Sequence, residues 1–320
     1  MKAVVYEQYG SPEVFQIKEI EKPVPKDNEV LIKVFATTIN RTDCGILRAK
    51  PFIVRFFTGL RRPNKIIPGT DFAGKIEAIG AKVTSFKPGN DVFGFYDIGL
   101  CSQAQYMTYP ENKGMEKIPQ NMSYEQAVAC LEGAHYAYNF INKVNLKSGD
   151  KVLVNGATGA IGSALVQLSK YFGAEITAVC NGKDEELVRS IGAQEVIDYS
   201  TEDFTKTKRK FKYVFDGVGK STYGRCKPIL ESGGAYLSAE PGQNWQNLFY
   251  IMYTQIFGDK KVIFPFPANI KRSIQLIKDL CEEGLFKAVI DREYPMEKIV
   301  DAYTYVESGE KIGNVILNMQ

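Results

Sequence analysis

Residues 151 to 162 constrain this chain more than any other stretch. A short run rich in valine, Lys151-Val152-Leu153-Val154, leads directly into Asn155-Gly156-Ala157-Thr158-Gly159-Ala160-Ile161-Gly162. Apolar residues then recur at Ile161, Leu165, Leu168 and Phe172, the spacing of one helix face, and Ile176-Thr177-Ala178-Val179-Cys180 reads as a second strand. Strand, glycine turn, helix and strand in succession call for a parallel sheet wound with helices, so the fold class is α/β. Gly156, Thr158, Gly159, Ala160, Ile161 and Gly162 form a turn whose backbone can approach a pyrophosphate, where the free N–H groups and positive end of the helix meet its charge. The other reading is a tight turn that serves only helix–sheet packing.

The second strand runs into Cys180-Asn181-Gly182-Lys183. NAD-binding folds keep an Asp or Glu about 20 residues beyond the glycines, on the ribose 2′-hydroxyl. Asn181 stands near that place instead, so no acid repels a 2′-phosphate, and Lys183 offers it a cation. The pattern favours NADP(H) over NAD(H). Asp184 suits the start of the next helix, where an acid meets the helix dipole. Tyr199, closing a third strand, either flanks the adenosine end or is a half-buried strand-end aromatic.

The texture of the chain changes twice. Before about residue 118, short β-rich runs such as Val30-Leu31-Ile32-Lys33-Val34 are punctuated by Gly and Pro, which predicts an irregular, mainly antiparallel barrel. Strands and helices then alternate, with further strands at Val196-Ile197-Asp198, Tyr213-Val214-Phe215-Asp216, Ala235-Tyr236-Leu237-Ser238 and Val262-Ile263-Phe264. The tail adds two amphipathic helices and a closing strand, Asn314-Val315-Ile316-Leu317. The expected division is a substrate domain of residues 1–118 and 265–320 around a cofactor domain of 119–264. Asn244 to Phe257 is rich in aromatics and holds Trp245, the only tryptophan. Packing, a hydrophobic substrate pocket, a membrane surface and a subunit interface all fit that stretch.

Composition narrows the function classes. With a net charge of +3 spread along 320 residues, there is no basic or acidic tail for nucleic acid or an anionic membrane. The basic run Lys206 to Lys212 reads as a solvated face. No apolar run approaches the roughly 20 residues that span a bilayer, and the N-terminus enters strand-like sequence at once, so a cytoplasmic protein is expected. The six cysteines are scattered without a C-x-x-C pair, as free buried thiols are in a reducing compartment. His135 is the only histidine. Zinc sites draw on clustered Cys and His, so no metal is expected.

Five ordered stretches, "INRTDCG" (39–45), "PGTDFAGKIEAIG" (68–80), "NGATGAIGSALVQLSKYFGA" (155–174), "VCNGKDEELVRSIGAQEVIDY" (179–199) and "VIDREYPMEKIVDAYTYVESGEKIGNVIL" (289–317), resemble the medium-chain dehydrogenase/reductase superfamily. The chain looks most like the zinc-free branch of quinone oxidoreductases and enone reductases. The resemblance implies a GroES-like β-barrel catalytic domain joined to a Rossmann domain, a homodimer, and an active site in the cleft between domains. Zinc-dependent members carry Cys where this chain has Asn40, and Gly-His-Glu where it has Gly69-Thr70-Asp71. An amide and a hydroxyl cannot replace a thiolate and an imidazole.

What the resemblance leaves is hydride transfer from NADPH to an electron-poor small molecule, a quinone or an α,β-unsaturated carbonyl. Asn40 is the candidate for contact with substrate or ribose, or else a structural turn amide. Asp43 either orients neighbouring groups or caps a helix. Phe52 and Phe56, with Phe57, replace the aromatic that some quinone reductases carry where this chain has Gly45. Val218, Ser238 and Asn314 complete the set of residues expected at the cofactor. No residue stands out as the proton donor. A metal-free alcohol or aldehyde dehydrogenase and a cofactor-binding interaction protein are the competing readings.

Overall fold

The computed structural model describes residues 1–240, 242 and 245–320, so Asn244, which opens the aromatic stretch, lies outside the described residues. The chain divides into two compact units, Met1–Glu132 with Asn269–Gln320, and Gly133–Ala268.

In the first unit a small ribbon of β1 (Lys2–Val5) and β2 (Gln16–Glu19) precedes a larger sheet. That sheet begins with β3 (Glu29–Ile39), β4 (Asp71–Ile79), β5 (Asp91–Phe95), β6 (Tyr106–Pro110) and β7 (Met115–Lys117), all antiparallel to their neighbours. β3 is the hub. It pairs with both β4 and β6, and its register against β4 shifts between Leu31 and Ile32 and between Val34 and Ala36. Such irregularities bend and twist a strand, which lets the sheet curl around its core. Val30, Ile32, Val34, Phe72, Ile76, Val92 and Met107 fill that core.

Short helices α1 (Arg41–Arg48) and α2 (Val54–Thr58) lie between β3 and β4, and α3 (Tyr124–Ala129) follows β7. α3 belongs to this unit, so the chain leaves it at Glu132 rather than at 118. The cause is packing: Tyr124 stacks on Phe35 of β3 with ring centres 4.4 Å apart, and its hydroxyl donates to the Asp91 carboxylate.

The second unit opens with α4 (Glu132–Asn142), whose first residue still counts with the barrel. Then come β8 (Lys151–Asn155), α5 (Ala160–Tyr171), β9 (Glu175–Cys180), α6 (Glu185–Ile191) and β10 (Glu195–Asp198). After them follow β11 (Phe211–Asp216), α7 (Tyr223–Cys226), β12 (Leu230–Ser238), α8 (Gln246–Ile256) and β13 (Lys261–Ile263). The strands form one parallel sheet in the order β10-β9-β8-β11-β12-β13, the doubly wound arrangement with its reversal between β8 and β11. Val152, Leu153 and Val154 are fully buried, as expected of a strand covered on both faces.

The tail returns to the first unit with α9 (Ile270–Glu282), β14 (Ile290–Pro295), α10 (Ile299–Ser308) and β15 (Asn314–Asn318). β15 pairs antiparallel with β3, and β14 lies parallel to β15 at the sheet edge. β14 is a strand the sequence does not advertise. Its Asp291, Arg292 and Glu293 suit an exposed edge, where charge deters further pairing, and they erase the alternation that would reveal it. The α/β class, barrel plus Rossmann sheet, is the one the sequence predicts.

Candidate active site and cofactor cradle

The turn Gly69-Thr70-Asp71 meets the end of β3 in a buried polar cluster. Asp71 is fully buried, and one of its oxygens accepts from the Thr38 backbone N–H at 2.7 Å and from the Thr37 hydroxyl at 3.0 Å. The Thr38 hydroxyl donates to the other oxygen, and the Thr37 hydroxyl also reaches the Asp71 carbonyl at 2.8 Å. Burial raises the Asp71 carboxyl to about 6, with the donors of Thr38 and Thr37 pulling the other way. Gly69 is required by the bend: its φ is +102°, and a Cβ there would meet the Ser102 hydroxyl oxygen at 2.2 Å.

Asn40 and Asp43 form a reciprocal cap on α1. The Asp43 N–H donates to Asn40 Oδ1 at 2.8 Å, and the Asn40 N–H donates to Asp43 Oδ2 at 3.2 Å. Asn40 Nδ2 donates to the Thr70 hydroxyl at 2.8 Å. Both ends of the Asn40 amide are thereby engaged inside the protein, and the residue is only 4% exposed. Asp43 is also buried. Burial, then the nearby Asp71 and Glu132 carboxyls, hold its own carboxyl well above the usual range, against the pull of the Asn40 N–H and the Thr70 hydroxyl.

Asp43 also lines a cavity of about 200 Å³ in the first unit. Its other walls include the Tyr6 ring and the apolar side chains of Leu47, Phe57, Ile67 and Ile98. Burial keeps the Tyr6 phenol protonated, so at least one O–H group stands in a mostly apolar chamber. Phe57 is part of the wall; Phe52 and Phe56, predicted for this role, are not. They are about two-thirds exposed and pack edge to face on each other, 6.0 Å apart. Phe57 is as exposed as they are, and it borders the cavity at its rim.

One acid of this region escapes a motif-based reading. Glu132, the first residue of α4, is buried, and its Oε1 accepts from the Thr42 hydroxyl at 3.1 Å. The available signal was a lone carboxylate inside the apolar run "AVACLEGAHYAY".

In the second unit the glycine turn has the form of a pyrophosphate cradle. Gly156 takes φ +76°, and a Cβ on Gly162 would fall 2.0 Å from the Gly156 carbonyl oxygen, so the first turn of α5 can come this close only with glycine. Gly159 caps α5 without a side chain, leaving the first amides of Ala160, Ile161 and Gly162 without the usual side-chain acceptor, and a Cβ there would meet nothing nearer than 3.6 Å. This is open space beside free donors, which fits an anion. Val218 packs over Gly156, and Thr158 lies within the turn. Asp216, at the end of β11, accepts from Asn155 Nδ2 at 2.9 Å, the N–H groups of Gly219 and Ser221 at 2.9 Å, and the Tyr236 hydroxyl at 2.8 Å.

At the end of β9, Asn181 Oδ1 accepts from the Lys183 N–H at 3.1 Å, and Lys183 and Tyr199 present exposed side chains. The sheet adds an acid that β9 itself lacks. Asp198, which ends neighbouring β10, stands so close to Gly182 that a Cβ there would meet its carboxylate at 2.5 Å. Ser200 holds that carboxylate below its ordinary range through hydroxyl and N–H. The Ser238 hydroxyl accepts from the Glu240 N–H at 3.2 Å, and Asn314, in the first unit, gives its amide to the Val289 carbonyl at 3.0 Å. His135 is buried and pushed down to about 4, hence neutral. On α8, Phe249, Met252 and Ile256 are exposed. Among the described residues no three His, Cys, Asp or Glu side chains come together as a metal-binding group, and no helix is long and apolar enough to cross a membrane.

The Asp71 carboxyl carries a pH signature. Because its folded value lies above the ordinary 3.8, the folded protein takes up this proton before the unfolded chain does, so its contribution to stability is full below 3.8 and is lost as pH rises through about 6. Urea unfolding of wild type and Asp71→Asn across that window should give a stability difference that changes with pH. A constant difference would contradict the assignment.

Comparison with known proteins agrees with this geometry. The family described as "Alcohol dehydrogenase GroES-like domain" matches residues 26–142, and that described as "Zinc-binding dehydrogenase" matches residues 191–317. A chloroplastic quinone oxidoreductase, QR1, of Triphysaria versicolor is 30% identical over 332 residues, covering 99% of this chain and 98% of that protein. A 2-methylene-furan-3-one reductase of Solanum lycopersicum is 29% identical over 329 residues, 99% of this chain and 79% of that protein. The crystal structure of Escherichia coli quinone oxidoreductase complexed with NADPH superposes with a TM-score of 0.80 at 22% identity, over 99% of this chain and 100% of that one. Matched from end to end, this chain belongs to the medium-chain dehydrogenase/reductase superfamily, in its branch of quinone oxidoreductases and enone reductases, and is an NAD(P)H-dependent oxidoreductase.

Proposed function

We propose that the protein is an NADPH-dependent, zinc-independent reductase of quinones or α,β-unsaturated carbonyl compounds. The observation that carries this reading is the apolar cavity with the Tyr6 phenol in its wall beside the Asp43 carboxyl, whose ionisation burial opposes. A flat, electron-poor carbonyl compound matches such a chamber: its carbon frame meets Leu47, Phe57 and Ile98, and its oxygen, which becomes negative on reduction, meets hydrogen-bond donors.

The donors themselves support zinc independence. At the places where zinc-dependent members hold their ligands, Asn40 donates to the Thr70 hydroxyl, and Asp71 is enclosed by Thr37 and Thr38. None of these offers a thiolate or an imidazole. Asn40 acts here through the turn it caps, holding Asp43 at the cavity.

A bound reduced nicotinamide supplies the hydride. On the protein side, the amides of the 156–162 turn, with Thr158, would hold the pyrophosphate, and Asn181, Lys183 and Tyr199 would take the 2′-phosphate end, where the Asp198 carboxylate beside Gly182 opposes the phosphate charge and Lys183 favours it. Val218, packed at Gly156 of the turn, and Ser238, at the end of β12, would contact the cofactor on the other side of β8. The lysine is exposed, so screening limits its contribution to about 1 kcal/mol, or up to about 5-fold in affinity.

Two experiments test this reading. Protein found metal-free by elemental analysis should consume NADPH with a panel of quinones and enones; a panel with no turnover above background sinks the proposal. Lys183→Ala should weaken NADPH severalfold more than NADH in a binding titration, and equal losses would reject the 2′-phosphate assignment.

A further inference from the structure

The stretch that borders the cavity carries a chemistry that the chain-wide charge of +3 hides. From Ala49 to Thr70 there are five basic residues, Lys50, Arg55, Arg61, Arg62 and Lys65, and no Asp or Glu. The same stretch exposes Phe52, Ile53, Phe56, Phe57, Leu60 and Ile66, each between 45% and 68% accessible. Single apolar residues are ordinary on a surface, but six of them between positions 52 and 66, interleaved with cations of one sign, form a patch that calls for a partner.

The stretch is held in shape through its polar groups. The Tyr9 hydroxyl donates to the Gly59 carbonyl at 2.7 Å and shares a hydrogen bond with the Thr58 hydroxyl at 2.8 Å. The Arg55 guanidinium lies 4.8 Å from the centre of the Tyr9 ring and donates to the Leu60 carbonyl at 3.0 Å. Lys65 Nζ donates to the Gly99 carbonyl at 2.6 Å. These ties fix α2 and the turn after it while the apolar side chains stay outside. Phe57, Thr58, Asn64 and Lys65 are also walls of the cavity, so the patch and the cavity rim are one surface. An acid from elsewhere in the unit, Glu7, acts on Arg62, but its nearer partner is Lys18 at 2.7 Å.

We propose that this face docks on an anionic lipid bilayer, with Phe52, Phe56 and Leu60 at the boundary of headgroups and acyl chains and Arg61 and Arg62 against the lipid phosphates. Peripheral binding of this kind adds burial of apolar side chains to the attraction of cations for a negative surface. A second copy of the chain fits less well, because a two-fold contact would set the same cations against each other. Helix α8 supplies the contrast: it too exposes Phe249, Met252 and Ile256, yet Gln246–Ile256 contains no charged residue and lacks the electrostatic half of such a site. Docked by the cavity rim, the enzyme would take quinones or enones dissolved in the bilayer. That consequence rests on the reductase reading; the docking itself does not.

Flotation of the whole protein with vesicles, without cofactor or acceptor, tests the docking. The protein should float with phosphatidylcholine vesicles that contain phosphatidylglycerol, remain behind with phosphatidylcholine alone, and be released as salt is raised. Arg61→Gln with Arg62→Gln should weaken binding by about 30-fold. Phe52→Ser with Phe56→Ser should also lose flotation, and both double variants should keep the wild-type circular dichroism and melting temperature. Phe249→Ser with Met252→Ser should float like wild type. No binding to either vesicle, equal binding to both, or loss confined to the α8 variant overturns the proposal. So does self-association in sedimentation that the Phe52 and Phe56 substitutions abolish, which would assign the face to a second copy. In turnover, the arginine double variant should keep its rate with a water-soluble acceptor and lose it with one held in anionic vesicles. Vesicle binding as expected, with no turnover of any acceptor, would sink the reductase reading and leave the docking standing.

Discussion

The carboxylate of Asp71 is the fixed point around which the first unit is arranged. Its partners are the backbone and hydroxyl of Thr38 and the hydroxyl of Thr37, so it ties the end of β3 to the start of β4. An isolated carboxyl in this position would cost several kcal/mol in lost hydration, whereas hydrogen bonds to a charged acceptor return about 1.5–3 kcal/mol each. With its lone pairs occupied the group holds the two strands in one register. From that anchorage Thr70 receives Asn40, Asn40 caps α1, and the cap sets Asp43 against the cavity. The chemistry proposed for the site therefore depends on hydrogen bonds that never touch the acceptor.

Asp216 has a parallel part in the second unit. Its four donors come from β8, the loop after β11 and β12, and they gather the carboxyl ends of the central strands beside the glycine turn. That is the place where an open parallel sheet binds its ligand, next to the reversal of strand order between β8 and β11. The glycine contacts explain why the turn tolerates no side chain at Gly162.

What was legible in the sequence follows physical scale. The glycine turn, the strand–helix alternation and the closing strand are local patterns set by backbone geometry and burial on both faces, and they read directly. β14 did not, because an edge strand needs no apolar alternation; α3 was placed with the wrong unit because its tie to β3 is a ring contact between residues distant in sequence, Tyr124 and Phe35. Motif position suggested Asn40 as a contact residue, but only the three-dimensional partners reveal that its amide is engaged as a cap. Phe52, Phe56 and Phe57 cannot be told apart by composition, and only Phe57 borders the cavity. Asp198 and Glu132 entered through parallel strand pairing and a side-chain contact with Thr42, both long-range effects.

The central claim is that hydride passes directly to an electron-poor acceptor without a metal. NADPH deuterated at the nicotinamide C4 position that is transferred, given to chelator-treated protein of measured metal content with an enone acceptor, tests it most directly. The account predicts one deuterium at the β-carbon of the product, at a rate unaffected by chelation. Product without the label, or turnover that returns only when zinc is added back, would contradict it.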